Sequence, residues 1–100
     1  MKIENQIING ILSCCTPKCI ILYSEKLSLF DHVLRSANFC IVVNTRKKNE
    51  LTRKLYLNIS AEIPFNILLY TPEEWNQMIA DPASYASHIA KKGKVLYEQT

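Results

Sequence analysis

The chain has 100 residues, a length that suits one domain and is too short for two ordinary ones. Hydrophobic residues make up 48% and charged residues 21%, a balance that excludes disorder throughout. A formal charge of +3 falls short of the basic stripe of a dedicated nucleic-acid binder, and no apolar run is long enough to cross a bilayer.

Residues 3–13 are expected to form an amphipathic helix, because Ile3, Ile7, Ile8, Ile11 and Leu12 fall on one stripe. Pro17 ends this N-terminal helical region, 1–17, and a core is expected over 18–98. Glu4, Asn5, Gln6 and Asn9 interrupt the place where a secretory apolar core would lie, so a cytoplasmic protein is the expectation. Cys19–Tyr23 is a continuous apolar run of the kind that forms a strand covered on both faces. Residues 24–37 are mixed, and Leu27, Leu29, Phe30, Val33 and Leu34 suggest a short helical turn. Phe39–Val43 is a second buried strand, rich in β-formers.

Residues 47–60 read as a helix with Leu51, Leu55 and Ile59 on one face, closed off before Pro64. Phe65–Tyr70 is a third strand with one polar residue, Asn66, in an apolar run. Thr71, Pro72 and Glu74 then carry the signature of a capping box with proline at the first helical position. Asp81–Pro82 repeats the cap-then-proline pattern and is expected to start another helix. Lys91 and Lys92 suit that helix's last turn, and Gly93 its stop. Lys94–Glu98 is the closing strand. This order predicts a single α/β (α+β) domain spanning 1–100, with a mixed sheet of about four strands and helices packed against it.

The remaining features have bland readings. Cys14, Cys15, Cys19 and Cys40 form no Cys-x-x-Cys pair, and His32 and His88 stand far from them, so no metal site is expected. The basic runs at Arg46, Lys47, Lys48, Arg53 and Lys54, and at Lys91, Lys92 and Lys94, read as solvated helix ends, with phosphate contact as the alternative. Trp75 is expected to pack against the sheet, or else to anchor an interface.

Ile63–Trp75 and Ile89–Glu98, in their order and spacing, carry a resemblance. The segment from about Lys18 to Glu98 resembles the minimal nucleotidyltransferase domains, small relatives of the polymerase-beta palm. The resemblance implies a nucleotidyltransferase-like fold and metal-assisted nucleotidyl transfer. In that chemistry two metal ions sit on three carboxylates, an Asp-x-Asp on the second strand and one residue on the third, after a Gly-Ser turn that receives the triphosphate. Aligned here, the turn falls on Tyr23–Ser24 and its second glycine near Ser28. The Asp-x-Asp falls on Ala37-Asn38-Phe39, and the third carboxylate on Asn66. The catalytic positions Ala37, Phe39 and Asn66 are therefore degenerate, and no catalytic residue or metal ligand is assigned. Mg²⁺ prefers anionic oxygen donors that these side chains do not supply.

Three functions follow from the resemblance. The first is a catalytically inactive member acting by protein contact, with a HEPN-type helical partner in a toxin–antitoxin-like pair or as a homodimer, without cofactor. The second is a nucleotide-binding module that uses Ser24, Lys26 and Arg35 on phosphate. The third is an active enzyme with displaced acids, Glu25 or Asp31, which would need Mg²⁺. Nucleic acid and membrane are not expected as partners.

Overall fold

A computed structural model describes residues 3–99 of the chain. Eight elements follow in the predicted order: α1 (Ile3–Cys14), β1 (Cys19–Leu27), β2 (Leu34–Val42), α2 (Lys48–Asn58), β3 (Phe65–Tyr70), α3 (Pro72–Ile79), α4 (Tyr85–Lys92) and β4 (Lys94–Glu98). The four strands make one mixed sheet in the order β3-β2-β1-β4. β1 pairs antiparallel with β2 and β4, and β2 pairs parallel with β3 across the α2 connection.

Alternation along the strands divides the sheet into two faces. On one face Ile20 and Leu22 of β1, Phe39 and Ile41 of β2 and Leu69 of β3 pack with Ile7 and Ile11 of α1 and Leu55 of α2. On the other, Ile21, Cys40 and Tyr70 pack with Ala86 and Ile89 of α4, and Trp75 of α3 joins them. The result is a helix–sheet–helix arrangement of three layers. The apolar run beginning at Cys19 is thus covered on both faces, as its composition requires. Trp75 lies 5.5 Å from the Tyr70 ring, centroid to centroid.

The segment 24–37 departs from expectation. Its helical character is one turn, closed by the His32 amide on the Ser28 carbonyl at 3.0 Å; β1 runs on to Leu27, β2 begins at Leu34, and the two form a long hairpin around it. The polar residues Ser24, Glu25 and Lys26 pair with Asn38, Ala37 and Ser36, and register shifts after Leu22 and after Lys26 break the period-two pattern. A second departure is the start of α4. Asp81 Oδ1 accepts from the Ala83 amide within a turn, and the helix begins three residues after Pro82 with Ser84 as its cap. Ser84 Oγ accepts the Ser87 amide at 3.0 Å, so serine takes the role expected of Asp81.

The capping box at α3 is complete. The Glu74 amide donates to Thr71 Oγ1 at 3.2 Å, and Glu74 Oε1 accepts the Thr71 amide at 2.9 Å. Gly93 ends α4 with ordinary negative φ, so a left-handed turn does not explain it. A Cβ there would run into Ile21 Cγ2 and the Ile89 carbonyl oxygen, so close approach to β1 requires glycine. The β3 edge is guarded by Tyr56, which stacks on Phe65 and accepts the Ile67 amide on its hydroxyl at 2.8 Å.

Candidate functional site

Asn66 stands on β3 opposite Asn38 of β2, and Asn38 stands opposite Ser24 of β1. Directly paired residues share a face, so the three make one polar row across the sheet. Asn66 Nδ2 donates to Asn38 Oδ1 at 2.9 Å, which ties the row together. Lys26, paired with Ser36, lies on the same face further along the hairpin.

The aligned positions Ala37 and Phe39 do not join this row. Both are buried in the opposite face, with α1 and α2, and Phe39 is fully enclosed there. A one-residue offset reverses the face of a strand residue. Asn38 and Cys40, rather than Ala37 and Phe39, therefore share the face of Asn66. Tyr23–Ser24 is not a turn either; it sits inside β1 at the register shift. Tyr23 packs edge-on to Tyr85, with centroids 5.9 Å apart, and burial pushes its phenol up to about 12.

The residues on this face do not fit a two-metal site. Asn38 and Asn66 offer neutral amides already bonded to each other, and Cys40 is a buried thiol. Its burial, then the neighbouring Cys19, pushes that thiol up to about 12, away from the thiolate that metals bind. Glu25 pairs with Ala37, which puts it on the other face. Among the described residues no three His, Cys, Asp or Glu side chains come together as a metal group.

Arg35 does not converge with Ser24 and Lys26. It is left unpaired by the register shift after Lys26 and lines a cavity of about 320 Å³ with Ser28, Asp31, Glu62 and Pro64. Asp31 lies at the hairpin end, where the Val33 amide and then the Ser28 hydroxyl hold its carboxyl below the usual range. The phosphate candidates are thus split between a sheet face and a groove.

The hairpin end carries the feature that composition alone did not single out. Ser28 Oγ accepts the Phe30 amide, Asp31 Oδ1 accepts the Val33 amide, and His32 adopts a left-handed φ of 56°. These local bonds fold a six-residue turn that points Leu29 and Phe30 outward, 92% and 95% exposed. Leu27 and Val33, about half exposed, flank them. A contiguous apolar tip of this kind marks an interaction site more often than a scattered exposed leucine does.

Compared with protein-family models, curated proteins and solved structures, the chain matches none.

Proposed function

We propose that this protein is a catalytically inactive, nucleotidyltransferase-like protein that works by protein contact, with the β1–β2 hairpin tip as the contact point. The observation that carries the reading is the near-complete exposure of Leu29 and Phe30 side by side at the end of that hairpin. Two large apolar side chains held in water by a bonded turn gain about 1.5–3 kcal/mol each when a partner covers them. The face that shares Asn66 supports the same reading, because amides and a buried thiol stand where transfer chemistry needs carboxylates.

The partner proposed is a helical protein of HEPN type, whose helix grooves suit two adjacent apolar knobs, in a toxin–antitoxin-like pair. A homodimer through the same tips is the second arrangement, favoured by the self-complementary chemistry of the patch. The test is purification of the chain and its Leu29→Ser/Phe30→Ser variant from native cells, followed by native mass spectrometry. A stoichiometric complex with a helical protein, or a dimer, that the double substitution abolishes is the expected result. A complex that survives the double substitution would remove the tip from the account.

A further inference from the structure

β2 and β3 are adjacent and parallel, yet the chain leaves them in opposite directions. From β2 it passes to α2, whose Leu55 packs on one face of the sheet. From β3 it passes to α3, whose Trp75 packs on the other. Such a divergence opens a crevice at the carboxyl ends of the strands, the place where open α/β sheets receive ligands. Here the crevice holds about 450 Å³ and is lined by Lys18, Asn44, Thr45, Arg46, Thr71 and Glu73, with Pro72 between the last two. That volume accommodates a small organic molecule, well beyond a bare ion.

Its floor is fixed by backbone bonds. The Lys18 amide donates to the Val42 carbonyl at 2.7 Å, and the Val43 amide donates to the Tyr70 carbonyl at 2.9 Å. The cations are unequal. Lys48 is held by Glu74 at 3.0 Å and Lys47 lies 3.9 Å from Glu50, whereas the ion pairs among the described residues include neither Lys18 nor Arg46. Thr45 and Thr71 each accept a backbone amide on Oγ1, which leaves their hydroxyl hydrogens to donate. The Glu74 amide at the start of α3 is already bonded to Thr71, so the positive character comes from side chains rather than from that helix end. Glu73 adds an acceptor, which disfavours a second anionic group and suits hydroxyls.

We propose that this crevice binds a phosphorylated polyol of the sugar-phosphate class, with the phosphate on Arg46 and Lys18 and the hydroxyls toward Glu73 and Asn44. Arg46 supplies a fork for two phosphate oxygens, and Lys18 a point charge. The site is separate from the hairpin tip and from the Asn38–Asn66 row, and it stands whether or not the contact function holds.

The test is an NMR titration of the isotope-labelled chain with ribose 5-phosphate, ribose and inorganic phosphate. Ribose 5-phosphate should give saturable shifts confined to Lys18, Asn44–Lys47 and Thr71–Glu73, with ribose and inorganic phosphate both binding more weakly. Arg46→Ala should weaken ribose 5-phosphate at least about tenfold, because both charge-assisted hydrogen bonds of the fork are lost, and Lys18→Ala should weaken it also. Both residues are exposed, so the melting temperature of each variant should stay close to that of the parent. Absent or scattered shifts, unchanged affinity in both variants, or inorganic phosphate binding as tightly as the sugar phosphate would overturn the assignment.

Discussion

Asn66 Nδ2 donates to Asn38 Oδ1 across the parallel β2–β3 pair at 2.9 Å, so the two amides satisfy each other and neither brings a charge to this face of the sheet. Replacing both residues makes the point testable. Asn38→Asp/Asn66→Asp loses the bond and sets two like charges opposite each other, at a cost of about 1–2 kcal/mol at neutral pH. Mutual repulsion raises one Asp pKa in the folded state, so the deficit grows as pH rises through that value and shrinks in acid. Thermal melts should show this, with Mn²⁺ recovering part of the loss in the variant and leaving the parent unmoved.

The capping box gives a second prediction. Thr71→Ala should destabilise the protein by about 1 kcal/mol in a denaturant melt. The Thr71 amide, then Lys48, holds the Glu74 carboxyl below the usual range. A depressed carboxyl contributes stability above its unfolded pKa and loses it as pH falls through the folded value. Glu74→Gln should therefore flatten the acid limb of the stability profile below the ordinary Glu pKa of about 4.3.

Cysteine labelling provides a third. Cys40 is fully buried on the face of β2 that α4 covers, and its thiol is pushed up to about 12, whereas Cys14, Cys15 and Cys19 are partly exposed. Alkylation of the native protein at mildly basic pH, read by peptide mass spectrometry, should reach Cys40 last. Early modification of Cys40 would contradict this packing.

The hairpin tip gives a fourth. Leu29→Ser/Phe30→Ser removes side chains that touch little of the fold, so stability should move by no more than about 0.5 kcal/mol. A larger loss in a denaturant melt would mean the tip packs on its own domain.

The element order was legible because each buried strand is a short apolar run and each helix a stripe. Ile20–Leu22 and Ile67–Tyr70 announce themselves, as does the Thr71–Glu74 box. The hairpin was not legible. Ser24, Glu25 and Lys26 are exposed on both faces, and two register shifts erase the alternation that marks a strand. The candidate site was half legible. Asn66 stands out as one polar residue in an apolar run, whereas Asn38, between Ala37 and Phe39, carries no such signal by itself. Counting back by twos from Val43 through Ile41 to Phe39 would have put Phe39 with the core and Asn38 on the opposite face. The crevice at Arg46 and Lys18 had no sequence signal beyond charge, since it depends on α2 and α3 leaving on opposite sides.

The proposed function puts contact at the Leu29–Phe30 tip and no metal-assisted transfer on the Asn38–Asn66 face. A calorimetric titration with each nucleoside triphosphate, with and without Mg²⁺, tests it most directly. No magnesium-dependent gain in affinity and no magnesium-dependent rise in melting temperature are expected; a triphosphate held at the Arg46 crevice would instead bind more weakly with Mg²⁺, which neutralises part of its charge. Magnesium-dependent stabilisation that Asn66→Ala abolishes would overturn this function and assign the polar row to nucleotide chemistry.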